Sequence, residues 1–152
     1  MYRKSTYEDC EQIYGLICEM ENKALPYDRF REIYQKQLLK DNYYCLIYES
    51  ENRVIGVLNL RFEEQLYHSA VIAEIIEFAV LSNYRKHGIG KEMFTQACKL
   101  AEEFKCIQIE VACNRLRTDT HRFYIREGMC NFHFKFSKVL VDNGILKNII
   151  GK

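Results

Sequence analysis

The strongest constraint on the fold of this chain is an apolar segment that leads through a glycine-containing loop into a long helical pattern. The segment "AEIIEFAVL" (residues 73–81) is apolar enough for a central strand. The loop "NYRKHGIG" contains Gly88 and Gly90, separated by one residue. Apolar residues then recur at helical spacing from Gly90 to about Phe104. This junction predicts a strand, a loop and a helix in direct succession.

The rest of the pattern predicts a mixed α/β fold. Thr6 and Asp9 have the spacing of a capping box at the start of a helix. Helices are predicted at 6–20, 27–40 and 118–127, and the last of these ends at Gly128. Strands are predicted at 43–50, 54–62, 70–81, 106–113 and 131–141. The element order is ααββ followed by β–α–β–α–β, with a central sheet.

Length and charge narrow the class of function. With 152 residues the chain predicts one domain with a hydrophobic core. Its 22 basic and 21 acidic side chains argue against broad adhesion to nucleic acid or membranes. The opening "MYRKSTYEDC" is too polar for a signal peptide, and no apolar run is long enough to span a membrane. The seven cysteines lack C-x-x-C spacing and are odd in number, which favours a reducing, cytoplasmic setting without zinc or disulfides.

The glycine junction has the chemistry of an anion site. The first amides of a helix lack intrahelical acceptors and carry partial positive charge, so they suit phosphate or pyrophosphate. The spacing is not that of a P-loop, and Met93 stands where the dinucleotide-binding fingerprint has its third glycine. What remains is R-x-x-G-x-G, from Arg85, Gly88 and Gly90. That hexapeptide alone is equally compatible with a turn that simply ends a strand.

The longer stretch "VLSNYRKHGIGKEMF" resembles the acetyl-CoA motif of the GNAT superfamily of N-acetyltransferases, V-x-P-x-x-R-G-x-G-I-G. Ser82 replaces the usual proline and Lys86 the first glycine, and neither change removes a backbone donor. The resemblance implies a central, mostly antiparallel twisted sheet with splayed central strands, flanked by about four helices. It covers a single acetyltransferase domain over residues 1–152, with a short C-terminal extension at 141–152. The matching residues are Val80, Arg85, Gly88, Ile89 and Gly90.

A second stretch, "VACNRLRTDTHRFYIREGM", resembles the aminoalkylphosphonate N-acetyltransferases and related small-molecule acetyltransferases. Thr120 replaces the usual alanine of their pattern and Met129 the usual aromatic residue. Much of this pattern also occurs in relatives with other substrates, so it indicates the superfamily rather than the acceptor. The matching residues are Asn114, Arg117, His121, Arg122, Phe123, Tyr124 and Gly128.

The resemblance implies direct transfer of an acetyl group from acetyl-CoA to the primary amine of a small molecule, through a tetrahedral oxyanion. It assigns Tyr124 as the general acid, because a phenol with a pKa near ~10 can protonate a thiolate and stay neutral at pH 7. Tyr124 could instead be an ordinary packed tyrosine. The implied cofactor-binding residues are Phe78, Ala79 and Val80 through their backbone, then Arg85, Lys86, His87, Gly88, Ile89, Gly90 and Lys91, with Asn114 and Tyr124 beyond. For Asn114 the alternative is a loop cap.

For the catalytic base the sequence offers Glu74 and Glu77 in the central strand. Carboxylates in so apolar a strand are unfavourable unless they are satisfied or solvated. A spacing of three puts them on opposite faces of a regular strand, unless a bulge intervenes. Glu77 is preferred as the residue nearest the amine and Glu74 is kept in reserve. A salt bridge or a helix-end contact is the equally weighted alternative for both.

Two other functions remain open on the same scaffold: a non-catalytic acyl-CoA sensor and a protein N-acetyltransferase. The histidines share no metal-ligand spacing, so no metal is predicted. No nucleic-acid or membrane partner is expected. The identity of the acceptor is left open, as is the choice between a monomer and the homodimer common among relatives.

Overall fold

The computed structural model describes residues 1–141, so the predicted C-terminal extension lies outside the described residues apart from its first residue. Two short 3₁₀ turns, Tyr7–Asp9 and Ser82–Tyr84, precede the first and third helices. The other elements, in chain order, are β1 (Tyr2–Lys4), α1 (Cys10–Glu21), α2 (Tyr27–Leu38), β2 (Tyr43–Ser50), β3 (Arg53–Gln65), β4 (Ala70–Val80), α3 (Ile89–Glu103), β5 (Ile109–Val111) and α4 (Thr118–Arg126).

The strands form one mixed sheet, as the sequence predicts. Its order is β1-β2-β3-β4-β5, and neighbours are antiparallel except for the parallel pair β4 and β5. A parallel pair requires a crossover connection, which α3 supplies. Together with the four α-helices, this confirms a mixed α/β fold.

The chain divides into two compact units, Met1–Ala112 and a second one that begins at Cys113. The first contains the whole sheet with α1, α2 and α3, and the second contains α4. The single acetyltransferase domain expected from the sequence stays a prediction. Within the described residues, none of the helices has both the length and the apolar character to cross a membrane.

Helices cover both faces of the sheet in the first unit. On one face, side chains of α1 and α2 pack against alternate residues of β2 and β3, in a cluster that includes Ile13, Leu16, Ile47 and Val57. On the other face α3 lies against β3. A Cβ on Gly56 of β3 would come within 2.5 Å of the Met93 sulfur, so glycine permits the close approach of helix and strand. β4 lies in the interior of the sheet because it pairs with β3 on one side and with β5 on the other.

Two features of the fold differ from the sequence analysis. β1 was not predicted, because three residues are too few to show a period. The predicted final strand at 131–141 is wrong: this segment forms neither helix nor strand. The alternating Phe132, Phe134 and Phe136 that suggested it are 83%, 89% and 92% exposed. Alternation describes side chains alone, and a strand also needs a neighbour for its backbone.

Candidate active site

The edge of β4 that faces β5 is paired over only part of its length. The parallel ladder joins Ala73, Glu74 and Ile75 to Ile109, Glu110 and Val111, and it ends there. β4 continues to Val80, and on its other side Phe78, Ala79 and Val80 pair with Leu58, Val57 and Gly56 of β3. Among the described residues no strand pairs with the β5 side of β4 after Ile75.

A β-bulge brings Glu74 and Glu77 to the same face of the sheet. Asn59 of β3 pairs with Glu77, while the next residue, Leu60, pairs with Ile75, so Ile76 is the extra residue. Arg61 then pairs with Glu74. Because opposed residues in antiparallel strands share a face, and Asn59 and Arg61 are two apart, both carboxylates lie on one side. The bulge breaks the regular alternation of side chains along β4, which would have placed Glu74 and Glu77 on opposite faces.

Glu77 is half-buried and accepts one hydrogen bond from a neighbouring strand. Asn59 Nδ2 donates to Glu77 Oε2 at 2.8 Å and also to Gln37 Oε1 of α2 at 3.0 Å. Burial raises the pKa of the Glu77 carboxyl above its usual range; the Asn59 hydrogen bond opposes the shift and the nearby Glu21 adds to it. Glu77 therefore titrates closer to neutrality than an ordinary carboxyl group, which suits a proton acceptor.

Glu74 has a different environment. Arg61 Nη2 lies 2.6 Å from Glu74 Oε2, and the same nitrogen is 3.8 Å from Glu63 Oε1. This ion pair engages one of the two carboxylate oxygens of Glu74. The structure thus gives Glu74 the salt bridge that the sequence analysis left as its alternative, and it leaves Glu77 as the better candidate for a base.

The glycine junction has the backbone geometry expected of an anion site. Gly88 has φ 84° and is the N-cap of α3, and Lys86 also has a positive φ of 64°. The first helical hydrogen bond runs from Glu92 N to Gly88 O at 3.0 Å, so the preceding first-turn amides have no intrahelical acceptor. Ile89, Gly90 and Lys91 form this turn. A surface groove of about 380 Å³ adjoins it, lined by Tyr2, Gly88, Lys91, Glu92, Thr95 and Gln96.

Arg85 connects this loop to the end of β4 and to α1. Its Nε donates to the Val80 carbonyl oxygen at 2.8 Å, and its Nη2 lies 3.6 Å from Glu19 Oε1. The same Glu19 oxygen accepts a hydrogen bond from the Ser82 amide at 2.9 Å. The Arg85 side chain thus ties the end of β4 to α1. Arg85, Lys86, His87 and Gly88 all lie in the loop between the 3₁₀ turn and α3.

The second unit contains the other two predicted site residues. Asn114 Oδ1 accepts a hydrogen bond from the Leu116 amide at 2.9 Å, and the Asn114 carbonyl oxygen accepts from the Arg117 amide and contacts His121 Nε2. Asn114 therefore has the loop-capping contacts that the sequence analysis gave as its alternative. Tyr124 is buried in α4, and burial raises the pKa of its phenol, with Cys113 adding to the shift and Arg117 opposing it. It keeps its proton at neutral pH.

Sequence reasoning missed three residues with a role in this geometry: Gln37, Asn59 and Glu19. Asn59 donates hydrogen bonds to both Glu77 and Gln37, so Gln37 is connected to Glu77 through Asn59. Glu19 accepts a hydrogen bond from the Ser82 amide, in the segment between β4 and α3. Each comes from an element distant in sequence from the residue it contacts. The polar Asn59 in the apolar run "VIGVLNL" was the only available signal, because a buried amide requires a partner.

The sheet order, the short parallel ladder between β4 and β5 and the glycine loop at the start of α3 together define an α/β domain of the acetyltransferase type. Comparisons with known proteins agree. The model of the acetyltransferase (GNAT) family matches residues 7–129. An aminoalkylphosphonate N-acetyltransferase of Salmonella typhimurium is 35% identical over 138 residues, which is 91% of this chain and 90% of that protein.

Solved structures show the same fold at lower identity. A transcriptional regulator from Bacillus halodurans C-125 superposes with a TM-score of 0.85 at 21% identity, covering 92% of this chain and 99% of that one. An aminoglycoside acetyltransferase, meta-AAC0020, from an uncultured soil metagenomic sample has a TM-score of 0.72 at 24% identity, covering 91% and 96%. The chain belongs to the GNAT acetyltransferase family and is an acyl-transferring enzyme.

Proposed function

We propose that this enzyme transfers the acetyl group of acetyl-CoA to the primary amine of a small molecule, with Glu77 as the base and Tyr124 as the acid. The observation that carries the proposal is the half-buried Glu77 carboxyl, whose pKa is raised by desolvation and which lies two residues beyond the end of the β4–β5 ladder at Ile75. The similarity to an aminoalkylphosphonate N-acetyltransferase over nearly the whole of both chains supports a small acceptor.

The residues present fit acetyl-CoA. The part of β4 beyond the end of its ladder with β5, which includes Phe78, Ala79 and Val80, suits the amide groups of the pantetheine arm, which can lie along it as a further strand would. The first-turn amides of α3 suit its pyrophosphate, and Gly88 and Gly90 let a ligand approach the backbone. Lys86 and Lys91 add positive charge there. When bound, acetyl-CoA supplies a thioester that an amine can attack.

Glu77 is the proposed proton acceptor. A primary amine with a pKa near ~10 is mostly protonated at neutral pH and is then not a nucleophile. Glu77 takes one proton from the ammonium group, and the neutral nitrogen forms the new C–N bond. As the C–S bond to the thiol breaks, the nitrogen releases its second proton to solvent and becomes an amide, and Glu77 passes its own proton to solvent before the next turnover. Because the pKa of Glu77 is raised, it lies closer to the pKa of the ammonium group. The proton transfer from the ammonium group to Glu77 is therefore less unfavourable.

Tyr124 is the proposed proton donor to the leaving thiolate. Its support is its place in the "HRFY" stretch, its burial in α4 and a phenol whose pKa burial keeps above its usual range. A neutral phenol has one proton to donate, and the phenolate can take another from solvent after release of the thiol. The seven free cysteines support a reducing, cytoplasmic setting for this chemistry.

The test of the proposed function is thiol release from acetyl-CoA with a panel of aminoalkylphosphonates, polyamines, aminoglycosides and amino acids. We expect turnover with at least one small amine, aminoalkylphosphonates first, and an acetylated amine identified by mass spectrometry. If acetyl-CoA raises the melting temperature but no amine in the panel is acetylated, the proposed acceptor class is wrong.

Replacement of Tyr124 by Phe tests the acid. We expect Tyr124→Phe to lower kcat by about 100-fold or more while the Kd for acetyl-CoA changes little, because only the proton is lost. Tyr14→Phe is the control: it also removes a hydroxyl that donates a hydrogen bond, to the Leu25 carbonyl oxygen at 2.7 Å, but on α1. Equal turnover of Tyr124→Phe and Tyr14→Phe would remove Tyr124 from its role.

A further inference from the structure

We infer that Asn59 and Gln37 are positioning residues of the acetyl-transfer site, which hold one oxygen of Glu77 as a hydrogen-bond acceptor and leave the other for the amine. The inference rests on the proposed function of Glu77. Its basis is a continuous hydrogen-bond chain through three elements, from Gln37 of α2 to Asn59 of β3 to Glu77 of β4.

The direction of each hydrogen bond in this chain follows from the charge of Glu77. A carboxylate only accepts, so Asn59 must present its NH₂ group to Glu77 Oε2. The second N–H of that group then needs an acceptor, and Gln37 provides its carbonyl oxygen at 3.0 Å. A reversed Asn59 amide would place a carbonyl oxygen against two acceptors. Gln37 thus fixes the orientation of Asn59, and Asn59 fixes Glu77.

Asn59 is an unfavourable choice for folding alone. Its side chain is 7% exposed, and its Oδ1 is buried with no hydrogen-bond partner among the described residues. A buried acceptor left unpaired lowers stability by about 1–3 kcal/mol, so an apolar residue would serve the core of β3 better. Leu58 and Leu60, its neighbours in the strand, are such residues. The amide is therefore explained by what it does for Glu77.

The bulge at Ile76 places Glu74 on the same face as this contact. Without the extra residue, the partners of Asn59 and Arg61 would be two apart in β4, and Glu74 and Glu77 could not both lie on this face. Asn59 and Glu77 are directly opposed, and Glu77 Oε2 is the only one of its two oxygens with a partner among the described residues. The remaining oxygen, Oε1, is the one assigned to the amine.

Other titratable groups share this face, and none of them duplicates the role of Asn59. The charge of Glu21 of α1 raises the pKa of Glu77. Arg61 is held by Glu74. The cavity beside Asn59 has a volume of about 10 Å³, and besides Gln37, Leu38 and Asn59 itself it is lined by Lys4, Tyr34, Tyr43 and Cys45.

The test compares pH profiles of kcat/KM for the wild type, Asn59→Leu and Gln37→Met. Loss of the donor, or of the acceptor that orients it, removes stabilisation from the charged form of Glu77. We expect the acidic limb of both variants to move upward by about one pH unit, with activity largely recovered at higher pH. A ¹³C NMR titration of the Glu77 carboxyl gives the same shift without an activity assay.

Cys45→Ala is the matched control. Cys45 is buried, lies opposite Asn59 on β2 and lines the same cavity, but it takes no part in the hydrogen-bond chain. We expect it to lower the melting temperature and leave the acidic limb in place. Gln37→Met keeps the test informative if Asn59→Leu does not fold, since Gln37 is only half-buried on α2.

The outcomes separate this inference from the proposed function. Lower activity at every pH, with the acidic limb and the Glu77 titration unchanged in both variants, would make Asn59 and Gln37 merely structural. The inference would also be overturned if the acidic limb of the kcat/KM profile moved upward as far in Cys45→Ala as in Asn59→Leu. If instead Glu77→Gln kept full wild-type activity, Glu77 would lose its proposed role and the inference would fail with it.

Discussion

At the scale of single residues, Glu77 combines a proposed catalytic role with a loss of stability. Its folded-state pKa lies above that of the unfolded chain, because burial disfavours the charge. The folded state therefore holds the proton more tightly, and the free energy of unfolding falls as the pH rises from the unfolded pKa through the folded one. Ionisation of Glu77 therefore lowers the stability of the fold over the pH range in which the folded chain loses this proton.

We therefore predict that Glu77→Gln raises stability at pH 7 by about 1 kcal/mol while it abolishes acetyl transfer. The substituted amide still offers an oxygen to Asn59 Nδ2. Urea unfolding between pH 4 and 8 should show the gain over wild type growing as the pH rises. Glu74→Gln is the control, because it breaks the 2.6 Å ion pair with Arg61 and should not stabilise. A gain for Glu77→Gln that is equal at pH 4 and pH 8 would contradict this account.

At the scale of elements, the same substitution at two glycines should have opposite effects. Gly88 is the N-cap of α3 and has a φ of 84°, a conformation that is strained for alanine. A Cβ added there would have no atom of the described residues within 4 Å. Gly88→Ala therefore strains the backbone without causing a steric clash. We expect it to lower the free energy of unfolding by about 1–2 kcal/mol. It should also weaken binding of coenzyme A, because the first-turn amides lose their alignment.

Gly15 is the counterpart within a helix. It lies in α1 with open space where a Cβ would be added, so Gly15→Ala should raise the free energy of unfolding by about 1 kcal/mol. Its affinity for coenzyme A should match the wild type. Urea unfolding and calorimetric titration check both variants. Unchanged coenzyme A affinity in Gly88→Ala would separate the glycine loop from cofactor binding.

At the scale of the whole molecule, the sequence predicts what local patterns encode. Helical spacing and the Thr6–Asp9 capping box predict α1 and its entry, and both are present. The bulge at Ile76 has no such local signal, because it depends on the register between β3 and β4. For the same reason the sequence could not place Glu74 and Glu77 on one face, nor connect either to Asn59, Gln37 or Arg61.

The cluster of Arg3, Asp9 and Glu49 joins β1, the 3₁₀ turn that precedes α1, and β2, and it is where we expect acid to act first on the fold. Arg3 Nη1 and Nη2 each lie 2.8 Å from an Asp9 carboxyl oxygen, and Arg3 Nε lies 2.6 Å from Glu49 Oε2. The Thr6 amide also donates to Asp9 at 2.7 Å. The Arg3 guanidinium holds the pKa of Asp9 below its usual range.

Folding lowers the pKa of Asp9, so the Asp9 carboxylate stabilises the folded state. This contribution is fully present above the unfolded-state pKa of about 3.9, and it is lost as the pH falls through the folded-state pKa. We predict that Asp9→Asn lowers the free energy of unfolding at pH 7 by about 1–3 kcal/mol, because it replaces charge-assisted bonds and turns an amide donor toward Arg3. Urea unfolding at pH 7 and at pH 2.5 should show the difference from wild type shrinking at the lower pH.

Glu32→Gln is the control, because it breaks exposed ion pairs with Arg29 and Lys36 on α2. It should change the free energy of unfolding much less than Asp9→Asn at both pH values. A loss in Asp9→Asn that stays constant down to pH 2.5 would mean that Asp9 acts through packing rather than through its charge.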